Sequence, residues 1–200
     1  MIMRNKLLGL LAVPVLAVSL TGCGVNEVPT AEEAAKAKWA DVQSAYQRRA
    51  DLIPNLVKVA ERYAQQEHDV LTEVTAARAK ATSIQLNAND LNDPAKMAQF
   101  AEAQGQLGSS IGRLLVTMEA YPNLKSDQVF INLQSQLEGT ENRINIARRD
   151  YNEAVRQYNT TIRTFPAMVA AKVIYNAKPM TPFEAKAGAE NAPTVDFGKR

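Results

Sequence analysis

From residue 31 onward the apolar positions fall into helical stripes. Trp39, Val42, Tyr46, Ile53, Leu56, Ala60 and Tyr63 step mostly by three and four, which places them on one helix face. Thr30 followed by Glu33 fits a capping box, so the first helix is expected to begin there. Pro54 removes a backbone donor inside the stripe. It either kinks the helix or marks a restart with Asp51 near the N-cap. The pattern then runs on through Val70, Leu71, Val74, Ala77, Ala81 and Ile84. Asn87 to Pro94 is a loop by composition, and Asp93 as N-cap with Pro94 behind it starts the next helix. Met97, Phe100, Ala101, Gln104, Leu107, Ile111, Leu114, Leu115 and Met118 continue it. Gly105, Gly108 and Gly112 lie inside it at about 1 kcal/mol each relative to Ala, which implies a close helix approach or a weak spot.

Tyr121-Pro122-Asn123-Leu124 breaks this helix. The last long helix is predicted from about Ser126 to Phe165, about 60 Å at ~1.5 Å per residue. Phe130, Leu133, Leu137, Ile144, Tyr151, Val155, Tyr158 and Ile162 form a heptad-like, coiled-coil seam on it. Pro166 ends it, and Met168 to Tyr175 read as a short apolar helix. No alternating strand pattern appears after the leader. The expectation is an all-α fold: an antiparallel bundle of about four long helices over residues 31–184, with a short C-terminal helix. Residues 185–200, rich in Ala, Gly, Pro and Lys, are expected to be a disordered tail.

The chain starts differently. Arg4 and Lys6 precede an apolar run, Leu7 to Leu20, that is shorter than the ~20 residues of a spanning helix and has the form of a signal-peptide core. Leu20-Thr21-Gly22-Cys23 follows and resembles the lipobox of bacterial lipoproteins. The resemblance implies cleavage before Cys23, diacylation of its thiol (and acylation, as by palmitate, of the new terminus). The alternative is an ordinary secretory leader and an unrelated cysteine. The chain's single Cys falls at this position, which favours the lipobox. Two or three acyl chains anchor stably where one does not. The leader is thus residues 1–22, and residues 23–30 read as a short tether. Gly24 follows the Cys where Asp would retain a lipoprotein at the inner membrane, so a host with two membranes would place the protein on the outer one, facing the periplasm.

Charge narrows the function classes. The chain carries 23 Lys+Arg and 21 Asp+Glu. The small basic surplus belongs to the leader, so no nucleic-acid partner is expected. With one Cys and one His, no cofactor, metal centre or disulfide framework is expected within one chain. His68, in Gln66-Glu67-His68-Asp69, lacks the Glu-x-x-His of di-iron bundles and the HExxH of zinc enzymes, and no G-x-S-x-G is present. It reads as a solvated polar-face residue, and enzymatic activity is not expected.

Tyr46-Gln47-Arg48-Arg49-Ala50-Asp51-Leu52-Ile53-Pro54-Asn55-Leu56-Val57 resembles the signature of the LemA/MamQ family. So do Tyr121-Pro122-Asn123-Leu124-Lys125, Leu137-Glu138-Gly139-Thr140-Glu141-Asn142-Arg143-Ile144, Tyr151-Asn152, Tyr158-Asn159-Thr160 and Phe165-Pro166. The resemblance implies a long-helix bundle on the outer side of a bacterial membrane, and it supplies no catalytic residue. A lipobox in place of the family's frequent N-terminal transmembrane segment changes the anchor and not the domain.

Within these blocks the most suggestive polar group is Glu138, Glu141 and Arg143, with Arg48 and Arg49 in the first block. Glu138 and Glu141 are three apart and share a helix face. They either take a small ligand or cation, or pair between helices with Arg48 or Arg49 and set bundle register. Asn142, Asn152 and Asn159 lie mid-helix and are expected to hydrogen-bond across helices. Trp39, Tyr46, Tyr63, Tyr151 and Tyr158 read as core. The expected function is a non-enzymatic envelope lipoprotein that scaffolds or docks an envelope protein, with self-association open.

Overall fold

The structure is a computed structural model that describes residues 24–184. The leader, Cys23 and residues 185–200 lie outside the described residues. The elements are α1 (Glu27–Tyr63), α2 (His68–Ser83), a 3-10 turn (Ala88–Asn92), α3 (Pro94–Met118), α4 (Pro122–Lys125), α5 (Gln128–Thr161) and α6 (Ala167–Val173). Among the described residues there is no strand. The fold is all-α, as the periodicity predicts. Lys38 faces Asp150, Arg49 faces Glu141 and Tyr63 faces Asp127, so α1 and α5 run antiparallel along their length. Glu73 pairs with Arg113 and Lys80 with Gln106, so α2 and α3 do the same.

The first helix begins earlier than its capping signal. Thr30 sits one turn inside α1, and its hydroxyl donates to the Asn26 carbonyl at 2.7 Å instead of capping. Val28 is fully buried. Burial of that side chain makes residues 27–30 the first turn of the bundle and not a tether.

Pro54 neither splits α1 nor restarts it. The proline leaves the Ala50 carbonyl without its intrahelical donor, and Arg78 Nε from α2 fills the vacancy at 2.7 Å. The break comes later, at Ala64–Glu67, where a turn separates α1 from α2. The loop at Asn87 is a 3-10 turn with its own capping box, Asn87 with Asp90. Asp93 then caps α3 ahead of Pro94, as expected. Asp127 caps α5 through the N–H groups of Val129 and Phe130. The helix stops at Thr161, short of Phe165; Pro166 has no N–H to offer the Ile162 carbonyl and bars Phe165 from helical backbone, so the ladder does not continue through it.

The core divides in two along the bundle. One cluster gathers Trp39, Tyr46, Phe100, Tyr151 and Phe183; the other gathers Ile53, Leu56, Leu107, Leu114 and Leu133. Trp39 meets Phe100, Tyr151 and Phe183 at ring-centroid distances of 5.4, 5.3 and 5.8 Å. Such pairs add about 0.5–1.5 kcal/mol each beyond area burial.

After α6 the chain turns back through Asn176, whose φ of 46° is a left-handed conformation Asn tolerates. It then runs along α5 as a strap. The Tyr158 hydroxyl donates to the Lys178 carbonyl and the Tyr151 hydroxyl to the Thr181 carbonyl, both at 3.0 Å. The Asn159 amide pairs with both backbone groups of Met180 at 2.8 and 2.9 Å. Asn152 does the same with Phe183 at 2.9 and 2.8 Å. Two of the three mid-helix asparagines thus bind backbone across the fold. Asn142 is exposed and does not.

Candidate functional site: a groove with an ionic floor

The bundle is open between α3 and α5, and the space there is a groove of about 940 Å³. One wall is the small-residue face of α3: Ala98, Ala101, Gly105, Gly108 and Gly112. The other is α5, with Leu137, Glu138, Glu141 and Arg148. Tyr46 and Arg49 of α1 form the floor, and Phe183 and Glu184 close one end. Gly108 and Gly112 do not mark a close helix approach. A Cβ on Gly112 would meet nothing within 4 Å, and one on Gly108 would come 3.5 Å from Arg49 Nη1. They keep the wall low, and the groove is wide because of them.

Arg49 lies between the two core clusters, 4% exposed. Its Nη1 donates to Glu141 Oε2 at 3.1 Å. Its Nη2 donates to the Gln104 carbonyl at 2.9 Å and to Gln104 Oε1 at 2.8 Å. The Gln104 amide in turn donates to the Ala81 carbonyl at 3.3 Å. One polar layer therefore ties α1, α2, α3 and α5 at a single level, an arrangement that fixes helix register. Arg49 Nε is buried without a partner. The guanidinium also sits 5.1 Å from the Tyr46 ring centroid. Burial pushes the Tyr46 phenol above its ordinary pKa, opposed by the nearby Arg148 and Arg49 charges.

The residues singled out from sequence separate here. Arg49 and Glu141 pair, and Glu138 lines the groove while accepting from Gln134 at 3.3 Å. Arg48 and Arg143 are exposed, away from the groove lining. His68 is exposed at the start of α2, also outside the groove. Of the aromatic set, Tyr63 is the partly exposed member, and its hydroxyl donates to Asp127 at 2.8 Å. Sequence reasoning missed Gln104 and Arg148 as groove residues. Gln104 was visible as a polar residue in an apolar stripe. Arg148 stacks over the Phe183 ring at 4.8 Å and seals the strap end. Among the described residues no group of three or more His, Cys, Asp and Glu is placed to hold a metal ion. Among them also, no helix is long and apolar enough to cross a membrane. The geometry suits retention of an elongated, partly apolar ligand, with charge recognised at the floor and rim.

Fold and groove together define an antiparallel helical bundle, held in register by one buried arginine, with a groove open between α3 and α5. The chain belongs to the LemA family, whose model matches residues 38–197. It is similar to the magnetosome protein MamQ 2 of Paramagnetospirillum magneticum, at 28% identity over 157 residues, 70% of this chain and 58% of that protein. It is also similar to magnetosome protein MamQ of Magnetospirillum gryphiswaldense, at 27% over 157 residues, with the same shares of each chain. The protein LemA of Metamycoplasma hominis is 26% identical over 124 residues, 62% of this chain and 52% of that protein. The chain thus spans little more than half the length of these relatives.

Proposed function

We propose that this LemA-family chain is a lipid-anchored envelope lipoprotein that works without catalysis, by docking an extended segment of an envelope protein in the groove between α3 and α5. The observation that carries the reading is the groove itself, which continues from a place where the bundle already holds an extended segment. The strap from Lys178 to Phe183 is bound through its backbone by two Tyr-Asn pairs and ends at the groove's mouth. The walls carry Glu102, Glu138 and Glu141 against Arg148 and the internally paired Arg49, so an apolar and basic segment complements them. Anchoring rests on the lipobox at Cys23, and Gly24 behind it favours the outer membrane where two are present.

The test is crosslinking in membrane fractions with the full chain, read by mass spectrometry. One envelope protein should be captured by the native chain and lost with Cys23→Ala and with Gly112→Trp, which fills the groove where a side chain meets no obstacle. Capture unchanged by Gly112→Trp overturns the groove as the docking site. Self-crosslinks alone replace the reading with homo-oligomeric assembly.

A second reading is a small anionic amphiphile on the groove floor, favoured by the unpartnered Nε of Arg49. It uses Arg49 and Arg148, since Arg143 lies outside the lining and the Glu138 and Glu141 carboxylates oppose an anion. A fatty acid that raises the melting temperature of the native chain and not of Arg49→Met would support it.

A further inference from the structure

We infer that the α6 end of the bundle is a membrane-seating surface that rests on anionic phospholipid headgroups beside the lipid anchor. This deepens the lipoprotein reading above and depends on it.

Three observations meet at this end. First, α6 buries Ala167, Ala170 and Ala171 against the bundle and turns its larger side chains outward. Phe165, Val173 and Ile174 are 75%, 79% and 61% exposed, with Val169 and Tyr175 beside them in the chain. A run of large apolar side chains facing water marks an interaction surface. Secondly, the chain has no acidic residue between Glu153 and Glu184, while Arg163, Lys172 and Lys178 are exposed there. None of these three forms an ion pair among the described residues. The acidic groups that α1 brings to the same end are Glu27, Glu32 and Glu33, and Lys36 pairs with the last two. Apolar side chains interspersed with cations suit an anionic interface.

Thirdly, Gly24 is buried on this end. A Cβ placed on it would come 2.9 Å from the Ala167 backbone nitrogen. Cys23 is joined to Gly24 by one peptide bond, so acyl chains on its thiol leave the fold beside α6 with no tether between. An anchor attached there holds the apolar patch against the bilayer, and the patch orients a bundle that the acyl chains already retain. A bundle standing on this end carries Arg49 roughly 30 Å above the headgroups, at ~1.5 Å per residue of α1.

The experiment uses the full chain. Acylation consumes the single native thiol, so Val173→Cys supplies the one free thiol for a nitroxide label, and Val116→Cys, at an exposed site on α3, is the control. The acylated proteins are placed in phosphatidylethanolamine–phosphatidylglycerol vesicles. The label at 173 should be roughly fivefold less accessible to a water-soluble relaxation agent than the label at 116. Equal accessibility on vesicle-bound protein overturns the seating surface and leaves the lipoprotein reading intact. Shielding at 173 that is already present without vesicles overturns it in favour of a second copy. A purified chain whose mass shows no lipid on Cys23 overturns the anchor, and the seating surface with it.

Discussion

Arg49 of α1 and Glu141 of α5 meet at 3.1 Å across 92 residues of sequence, with the arginine sunk between two apolar clusters and the carboxylate half in water. The two partners are therefore not equivalent. Glu141→Gln keeps an acceptor for Nη1 and leaves both bonds to Gln104, so it should cost no more than ~1 kcal/mol, as for a solvent-screened pair. Arg49→Ala strips Gln104 of its donor and opens a void, and should cost about 3 kcal/mol. Urea unfolding of the two variants checks the order. Equal costs would mean that the pair, and not the buried guanidinium, is the determinant.

The strap offers a sharper case. Asn152 donates to the Phe183 carbonyl and accepts from its N–H. Asn152→Asp keeps the acceptor and turns the donor into a second anionic oxygen facing a carbonyl. The loss should be ~1–3 kcal/mol at neutral pH. It should shrink in acid, where a protonated Asp donates again. Hydrogen exchange at the Phe183 amide reports this directly: faster exchange at pH 7 than in the native chain is expected, and unchanged protection would refute it.

These features differ in how far the sequence discloses them. The helix stripes are legible because burial imposes a period near 3.6. Arg49 was separable from Arg48 in principle: it lies three residues after Tyr46 and four before Ile53, in phase with the buried face, whereas Arg48 is a ~100° step away. The turn at Ala64–Glu67 is not legible, since Gln65, Gln66 and Glu67 favour helix. A distant contact helps hold it, the Tyr121 hydroxyl donating to Glu67 at 2.7 Å. The strap has no period of its own because, apart from the buried Met180 and Phe183, it is held through backbone groups. Its trace lies in its binders, Tyr-Asn at 151–152 and again at 158–159, two helical turns apart on one face. The groove is least legible, because an unfilled space and a close helix contact both present small residues.

Acid sensitivity follows from three carboxylates. The Tyr63 hydroxyl, then the Phe130 N–H, hold Asp127 below the usual carboxylate range. Lys96 does the same for Asp90, and Arg156 brings Glu153 down to about 2. Each is depressed in the folded chain relative to the unfolded one. The stability it contributes is present above the ordinary carboxylate value near 4 and is lost as pH falls through the folded value. Asp127→Asn still caps α5 but loses the charged acceptor for the Tyr63 hydroxyl, so neutral stability should fall modestly while the decline between about pH 4 and 2 becomes shallower. Urea midpoints across that range test it; an unaltered slope would remove Asp127 from the account.

Gly139 sits in the Leu137–Ile144 block, yet it is exposed and a Cβ there meets nothing within 4 Å. Gly139→Leu should therefore stabilise α5 by about 0.8 kcal/mol through helix propensity. A lower melting temperature would show that this position is covered by something other than water.

Pro54 and Arg78 make a pair that a mutant cycle can isolate. Arg78→Ala alone strands the Ala50 carbonyl and should cost ~1–2 kcal/mol. Pro54→Ala returns the N–H that α1 lacks, so the carbonyl regains its intrahelical donor and no longer needs the arginine. In that background Arg78→Ala should cost little, and the two changes should couple by at least ~1 kcal/mol. Additive costs would mean that Arg78 stabilises the α1–α2 contact through packing of its stem. The helix would then run through Pro54 for a reason other than the donor supplied from α2.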